Sequence, residues 1–372
     1  MINQQQLLAS FFLLAGLFLA ACKTTEPVTS NEPPQNIILL IGDGMGLAQL
    51  SSVYYEEDFE PSFSRFQTIG LHQNAPVGAK ITDSAAGATA FSAGIKSYNG
   101  AIAVDTDTMP VPTILEMAAD RGLSTGVIAT SSITHATPAS FYAHVKVRKM
   151  QEEIAQQMVA APVDFFAGGG IKWFADRKDK LNYLDSLTNR GYRVDTTRLQ
   201  SYKNIKEADK CGFLLAKDGM PKMTEGRGDF LPDATALALD FLDKKENGFF
   251  LMVEGSQIDW GGHANDSEYI IEETKDFSKA VDVALDFAVR DGNTLVIVTA
   301  DHETGGYALS AAEVRRQRNY KYIGPTFSTG GHTASLVPVF AYGPGEENFK
   351  GIYQNDAIFG KMLKALGWQI VQ

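Results

Sequence analysis

Carboxylate and imidazole side chains follow several short apolar runs of this sequence. Asp301 and His302 stand side by side after one such run, and Asp43 and Glu254 each come after another. A single Asp-His pair is as often an ordinary loop as a site. The repetition of such residues after several apolar runs argues against chance. Carboxylate oxygens and imidazole nitrogens are ligands of divalent metal ions. The residue types therefore point to metal-assisted chemistry.

The histidines strengthen this interpretation. Three of the six, His263, His302 and His332, lie in predicted glycine-adjacent loops beside carboxylates. Mixed Asp and His ligation without Cys is typical of catalytic zinc, whereas carboxylate and hydroxyl ligation suits magnesium. Two zinc ions about 4 Å apart would clamp the attacking and leaving oxygens of a phosphoryl transfer and lower the pKa of a bound water toward about 7.

A serine at a predicted helix start is a candidate nucleophile. Thr82, Asp83 and Ser84 precede an alanine-rich run that favours helix. Helix capping alone would explain these polar residues. A serine at a helix N-terminus also lies where backbone N–H groups and the helix dipole favour an anion, so a catalytic role for Ser84 stays open.

The alternation of apolar runs with helical patterns predicts an α/β fold. The runs 36–41, 125–129, 248–253 and 293–300 are typical of buried parallel strands. Because the carboxyl ends of parallel strands share one edge of a sheet, we expect the polar clusters after these strands to be neighbours. The glycines around Asp43 also suggest a dinucleotide-binding loop, but the third glycine of that pattern is missing.

Further elements complete the predicted domain. Helices are predicted at 113–121, 152–160, 233–245, 267–289 and 357–366, and strands at 164–167, 212–215 and 337–342. Without a linker between them, we predict one domain at 36–372, with insertions mainly within 149–248. The loop 226–229 and Glu303 have no evident role, and Cys211 is expected to be a buried thiol.

Composition limits the class of protein. The chain has 372 residues, 44% hydrophobic and 21% charged, so it can bury a large core. Its formal net charge of −11 argues against a nucleic-acid-binding surface, since phosphate backbones attract stripes of Lys and Arg. An acidic enzyme with an anionic substrate needs local positive charge, which bound metal ions supply.

The N-terminal segment predicts export. Residues 7–21 are apolar, too short for a comfortable membrane span and of the length of a signal sequence. The segment 19–22, Leu-Ala-Ala-Cys, resembles a bacterial lipobox, which implies a lipid anchor at Cys22 on the periplasmic side of a bacterial membrane. A plain signal sequence with an incidental Cys is the alternative. We predict a lipoprotein-type signal peptide at 1–21 and a flexible tether at 22–35.

The motifs occur in the order found in bacterial alkaline phosphatases. The resemblance rests on Asp43 in Ile-Gly-Asp-Gly-Met-Gly, the turn 82–85, Thr137-Pro138 with His144 and Arg148, the segment 254–263, Asp301-His302, and His332. It covers the chain from about residue 36 onward. It implies a three-layer α/β/α fold with a large, mostly parallel sheet. It also implies a homodimeric, metal-dependent phosphate monoester hydrolase of broad specificity.

The resemblance further implies a role for each matched residue. Ser84 would be the nucleophile, forming a phosphoserine that zinc-activated water hydrolyses, and Arg148 would grip two phosphate oxygens. Each subunit would hold two Zn²⁺ and one Mg²⁺. The implied ligands are Asp259, His263 and His332 for the first zinc; Asp43, Asp301 and His302, with Ser84 alongside, for the second; and Asp43, Thr137 and Glu254 for magnesium.

Two residues depart from the enteric members of that family. His135 stands where those enzymes carry an Asp near magnesium, and Trp260 where they carry a Lys. An imidazole does not orient magnesium-bound water as a carboxylate does, so the metal of the third site stays open. The absence of disulfides and the shortened insertions resemble compact members of the family.

Three other functions are alternatives. A sulfatase needs a formylglycine motif, which the segment 84–87 does not supply. A phosphodiesterase of the same superfamily is harder to exclude, but tends to carry Thr as nucleophile. A non-catalytic phosphate-binding lipoprotein would need neither Ser84 nor this number of metal-type ligands.

Overall fold

The structure is a computed structural model that describes residues 32–314 and 317–369. The predicted signal peptide at 1–21 and the lipid attachment site Cys22 lie outside these residues. The predicted limits of the domain and of its insertions stay predictions. Within the two described ranges, no helix is both long and apolar enough to cross a membrane.

A ten-stranded sheet forms the centre of the fold. The described strands are β1 (Asn36–Gly42), β2 (Thr68–Gln73), β3 (Ser124–Ser132), β4 (Phe165–Gly169), β5 (Tyr192–Asp195), β6 (Lys210–Leu214), β7 (Phe249–Gly255), β8 (Thr294–Thr299), β9 (Glu303–Thr304), β10 (Tyr307–Val314), β11 (Gln317–Phe327), β12 (His332–Thr333), β13 (Val337–Tyr342) and β14 (Gly351–Gln354). The large sheet has the order β14-β2-β13-β8-β1-β7-β3-β4-β6-β5. Strand β13 runs antiparallel to β2 and β8, and the other pairs described in this sheet are parallel. The predicted large, mostly parallel sheet is confirmed.

Helices alternate with these strands. Those described are α1 (Leu47–Ser52), α2 (Ser84–Ala93), α3 (Ile114–Asp120), α4 (Ala136–Ala139), α5 (Gln151–Ala160), α6 (Ile171–Phe174), α7 (Tyr183–Asn189), α8 (Tyr202–Ile205), α9 (Phe230–Leu242), α10 (Gln257–Ala264), α11 (Ser267–Asp291) and α12 (Ala357–Ala365). Short 3-10 helices lie at Val53–Tyr55, Ser62–Arg65, Met223–Glu225 and Glu346–Phe349. Capping side chains and glycines set several helix ends. Asp266 caps the start of α11 by accepting a hydrogen bond from the Tyr269 backbone N–H, and Gly292 ends that helix at φ +75°.

Both faces of the sheet are covered by helices. Alternate residues of β1 enter different core clusters, with Leu39 in one and Ile38 and Leu40 in the other. The first cluster includes side chains of α2, α3, α5 and α12, and the second includes side chains of α9 and α11. Every residue of β1 is buried, which explains its unbroken apolar sequence. The predicted three-layer α/β/α arrangement is confirmed.

Helix α9 differs from its prediction at the start. It was expected at 233–245 but spans Phe230–Leu242, with Pro232 in its first turn. Proline is tolerated in the first turn of a helix, because the N–H groups there have no partner within the helix. Cys211 lies on β6 as a buried free thiol, as expected, and burial raises its pKa to about 11.

The loop 226–229, which had no evident role, is held by a buried ion cluster. Arg227 donates hydrogen bonds to Glu273 and Asp276 of α11, at 2.5 and 2.8 Å, and all three side chains are almost fully buried. Breaking such a buried cluster is costly because it leaves uncompensated charge. The nearby Met220 carbonyl accepts a hydrogen bond from Gln257 Nε2 at 2.8 Å, at the start of α10. The cluster therefore helps to fix the segment that packs beside α10.

Candidate active site

The four strands that were predicted to deliver polar residues are adjacent, in the order β8-β1-β7-β3. Asp43 follows β1, Glu254 lies at the end of β7, and Asp301 and His302 follow β8. All four of these side chains are fully buried. The parallel register of the strands thus brings distant parts of the sequence to one edge of the sheet, as expected.

One candidate metal group forms between β1 and β8. Asp43, Asp301 and His302 each offer a ligand atom, and these atoms lie within 4.8 Å of one another. The His302 Nε2 atom is 3.5 Å from Asp43 Oδ1 and 3.3 Å from Asp301 Oδ2. Ser84 Oγ lies 3.4 Å from the same His302 nitrogen. The structure therefore places the serine beside this group.

A second group forms around Asp259. Its carboxylate, His302 and His332 offer atoms within 4.8 Å of one another. His263 joins them, since its Nε2 atom is 3.4 Å from Asp259 Oδ1 and 3.2 Å from His332 Nε2. The prediction that His263 and His332 lie in loops is wrong. His263 lies on α10, one turn after Asp259 on the same face, and His332 lies on the short strand β12.

A third group includes His135, one of the two residues that depart from the enteric members of the family. Asp43, His135 and Glu254 offer atoms within 4.8 Å of one another. Thr137 lies on α4, and its buried Oγ1 has no hydrogen-bond partner among the described residues. Trp260 meets the His135 ring edge-on, at 82° between planes and 6.3 Å between centroids.

Buried negative charge dominates the electrostatics of these groups. Burial, with the neighbouring charge of Asp301, raises the pKa of Asp43 well above its usual range. Burial raises the pKa of Glu254 to about 7 and that of Asp301 to about 6. Both Asp43 oxygens, Glu254 Oε1 and Asp301 Oδ2 have no hydrogen-bond partner in the described residues. Unpaired buried carboxylate oxygens are costly, and convergent ones fit bound cations.

The three histidines of the first two groups present the same nitrogen to the site. His263 Nδ1 lies 2.7 Å from the Gly330 carbonyl, and His332 Nδ1 lies 2.8 Å from the Thr82 carbonyl. A carbonyl only accepts, so these Nδ1 atoms carry the proton and leave Nε2 free to bind a metal. Burial lowers the pKa of His302 to about 3, which keeps this imidazole neutral. The donor set fits catalytic zinc.

The N-terminus of α2 adds an anion-binding region. Ser84 is the first residue of α2, and the Asp83 side chain caps the helix by accepting a hydrogen bond from Ala86 N. Asp83 also accepts from Arg148 Nη1 at 3.1 Å, and Arg148 Nη2 lies 3.3 Å from His135 Nε2. The helix end and the guanidinium together favour a phosphate group at Ser84.

His144, a residue of the quoted motif, lies outside these groups. Its ring nitrogens contact the Ala103 carbonyl at 2.8 Å and Glu116 Oε1 at 2.9 Å. These contacts anchor the segment that leads to Arg148.

The chain is similar to known proteins over most of its length. The family model described as alkaline phosphatase matches residues 34–322. The alkaline phosphatase of the Antarctic bacterium TAB5 superposes with a TM-score of 0.90 at 53% identity, covering 91% of this chain and 99% of that one. Alkaline phosphatase 3 of Bacillus subtilis is 37% identical over 90% of each chain. Escherichia coli alkaline phosphatase is 33% identical over 91% of this chain and 87% of its own.

The chain belongs to the alkaline phosphatase family. It is a metal-dependent phosphate monoester hydrolase, and the predicted fold, family and enzyme class are confirmed.

Glu303 of this phosphatase is a structural anchor that was not evident from the sequence. It is 5% exposed and belongs to none of the candidate metal groups of the described residues. Its carboxylate accepts hydrogen bonds from Gln49 Nε2 at 2.7 Å, from Tyr307 N at 3.0 Å and from Thr333 Oγ1. Glu303 thereby ties α1, β10 and β12 to the site. Its position directly after Asp301-His302 is the only sequence signal for this role.

Gly44 is required where two metal groups approach each other. Its φ is +74°, and a Cβ atom there would lie 2.7 Å from Asp259 Cα. We expect Gly44→Ala to push Asp259 out of position and to lower kcat/KM and metal retention by about 10-fold or more. Kinetics, and metal analysis after dialysis against a chelator, measure the effect.

Gly78→Ala is the matched control for this prediction. Gly78 has a similar φ of +77°, but its Cβ would meet no atom within 4 Å. Both variants incur the backbone cost of alanine at positive φ, about 1–2 kcal/mol, but only Gly44→Ala adds the clash. Equal losses of kcat/KM and of metal retention in the two variants would contradict the steric explanation.

Proposed function

We propose that the phosphatase acts through a phosphoserine at Ser84. The observation that carries this proposal is the position of Ser84 Oγ, at the N-terminus of α2 and 3.4 Å from His302 Nε2. The Ser84 oxygen loses its proton and bonds to phosphorus as the bond to the ester oxygen breaks, and the leaving alkoxide takes up one proton to become the alcohol. Water then attacks phosphorus, releases inorganic phosphate and restores the serine hydroxyl.

Arg148 and the start of α2 bind the phosphoryl group in this proposal. Arg148 is a planar fork of donors that suits two phosphate oxygens. Its bond to Asp83 Oδ2 holds the guanidinium beside Ser84 and still leaves donors for substrate. The first N–H groups of α2 point toward the same region and favour negative charge there. In this proposal Arg148 and the start of α2 bind the phosphoryl group. That group is common to all monoesters, which supports broad specificity.

The proposed ligands of two zinc ions are Asp259, His263 and His332 for one and Asp43, Asp301 and His302 for the other. When bound, these ions supply Lewis-acid stabilisation of charge on oxygen and a water of lowered pKa. The unpaired carboxylate oxygens and the inward Nε2 atoms support the assignment. Ser84 lies beside the second set.

The proposed third ion is magnesium, held by Asp43, Thr137 and Glu254. His135 bears on its identity, because its ring lies within reach of two of these ligands and its Nδ1 atom has no described partner. A variant of the TAB5 enzyme with a histidine replaced by aspartate has been solved with magnesium in its M3 site. Nitrogen ligation by His135 would favour zinc over magnesium at this position.

Replacement of the nucleophile tests the mechanism. We expect Ser84→Ala to lower kcat for an aryl phosphate monoester by about 1,000-fold or more and to abolish phosphoserine after acid quench with labelled substrate. Ser92→Ala is the control, because Ser92 is buried on the same helix and, among the described residues, its hydroxyl donates a hydrogen bond only to the Thr89 carbonyl, at 3.4 Å. Retained activity in Ser84→Ala would remove this residue from the mechanism. A diester assayed in parallel separates monoesterase from phosphodiesterase activity.

Metal removal tests the ligand assignment. We expect a chelator to abolish activity and lower Tm, because repelling buried carboxylates lose their counter-ions, and zinc with magnesium to restore both. Metal analysis should find two zinc ions and one further divalent ion per subunit; magnesium as that ion would support ligation by Asp43, Thr137 and Glu254, and zinc would support ligation by His135. The mass by light scattering should be that of a dimer. A chelator-resistant enzyme would contradict the metal assignment, and a monomeric mass would contradict the dimer.

We propose export and lipid attachment at Cys22, on the strength of the apolar segment 7–21 and the residues before Cys22. Labelling with palmitate in a bacterial host should mark the wild-type protein and fail for Cys22→Ser. Cys211→Ser is the matched control, since that thiol is buried and should not affect labelling. Equal labelling of the two variants would contradict the lipid anchor.

A further inference from the structure

The hydroxyl group of Thr304 contacts one residue from each proposed zinc site. Thr304 Oγ1 lies 2.5 Å from Asp259 Oδ1 and 3.2 Å from His302 Nδ1. Thr304 is fully buried, so water does not compete for these contacts. Asp259 belongs to the first proposed site and His302 to the second, and Thr304 lies between them without belonging to either ligand set.

The chemistry of the three groups fixes the direction of both hydrogen bonds. An ionised carboxylate only accepts, so the Thr304 hydroxyl proton points to Asp259. The oxygen of Thr304 is then available as an acceptor toward His302, which must carry its proton on Nδ1. This leaves His302 Nε2 as the free nitrogen, the atom that lies 3.5 Å from Asp43 Oδ1 and 3.4 Å from Ser84 Oγ. One hydroxyl thus orients a carboxylate and selects the tautomer of an imidazole.

The surrounding backbone holds Thr304 at this junction. Its N–H donates to the Gly44 carbonyl at 3.2 Å, and its carbonyl accepts from Gln49 Nε2 at 2.7 Å. It is paired with His332 across the β9–β12 ladder. Its methyl group packs against Gly262 of α10. A Cβ atom on that glycine would lie 2.9 Å from the Thr304 methyl carbon. With the backbone fixed and a β-branched side chain, the hydroxyl has little freedom to turn away.

His302 differs in this respect from the other two histidines. The Nδ1 atoms of His263 and His332 are oriented by the carbonyls of Gly330 and Thr82, which no substitution removes. The orientation of His302 depends on a side chain. The hydrogen bond between Thr304 Oγ1 and His302 Nδ1 can therefore be removed by a substitution at Thr304, without altering a proposed metal ligand.

We propose that Thr304 is a positioning residue that couples the two zinc sites, orienting Asp259 in one and His302 in the other. This inference rests on the proposed zinc ligands. Loss of the hydroxyl frees the His302 ring to take either tautomer and leaves Asp259 Oδ1 without its donor. Because the two ligands belong to different sites, one substitution weakens the retention of both ions.

The test is Thr304→Val, which keeps the shape of the side chain and removes the hydroxyl. We expect both zinc ions to be lost to a chelator about 10- to 100-fold faster than from the wild-type enzyme. We also expect a changed visible absorption spectrum in the cobalt-substituted protein. Thr304→Ser, which retains the hydroxyl, should restore slow metal loss and the wild-type spectrum. If Thr304→Val does not fold, comparison of Thr304→Ser with Thr304→Ala isolates the same hydroxyl.

Thr274→Val is the control for removal of a buried hydroxyl as such. Thr274 is fully buried on α11, and within the part of the chain that the structure describes its hydroxyl forms a hydrogen bond only with the Ile270 carbonyl, at 2.7 Å. It should change Tm without changing metal loss or the cobalt spectrum. Wild-type rates of zinc loss and an unchanged spectrum in Thr304→Val would overturn the inference and leave the proposed function intact. Absence of bound zinc from the wild-type enzyme would instead overturn the proposed function.

Discussion

Crowding of buried carboxylates at the carboxyl edge of the sheet is the constraint on which the rest of this structure depends. Asp43, Asp301 and the pair Glu254 and Asp259 come from three separate segments of the chain, and all four are buried. Burial, with the repulsion between neighbouring carboxylates, raises the pKa values of Asp43, Glu254 and Asp301. Cations among these oxygens would offset the repulsion, so we expect metal binding to stabilise the folded protein.

The same constraint explains how an acidic chain handles an anionic substrate. With a net charge of −11, the surface as a whole does not attract phosphate. Positive potential must be local, and the described groups that supply it are the N-terminus of α2 and the Arg148 guanidinium. Asp83 joins the two by capping the helix and binding Arg148. Bound metal ions then add the largest local charges.

The strands, and the meeting of their carboxyl ends, were predictable because each buried strand carries the same local sequence pattern. A strand buried on both faces has a continuous apolar sequence, and β1 shows it without interruption. The parallel arrangement then requires the residues after β1, β7 and β8 to meet. The polar groups that complete the site were less predictable. Thr304 reaches Asp259 and Glu303 reaches Gln49 only through the tertiary fold, across 45 and 254 positions of sequence.

Helix α10 shows why one part of the site was assigned wrongly. Gly261 and Gly262 lower helix propensity, and a loop was therefore expected around His263. The structure keeps the helix because these glycines allow close packing. A Cβ atom on Gly261 would lie 2.9 Å from Ile270 N, and one on Gly262 would lie 2.8 Å from Thr304 Cβ. Tertiary contact thus overrides the local preference and places Asp259 and His263 on one face.

A backbone contact of His332 links the proposed nucleophile, Ser84, to the candidate metal groups. The Thr82 carbonyl that orients His332 belongs to the same turn that caps α2 and presents Ser84. A shift of this turn would move Ser84 and rotate the His332 imidazole together, so one short stretch of main chain sets the position of both side chains. Ser84 is also 2% exposed, with little room for another rotamer. In the proposed mechanism, the geometry between Ser84 and the proposed metal ligands is therefore set before substrate binds, which is the condition under which electrostatic stabilisation of a transition state needs no reorganisation.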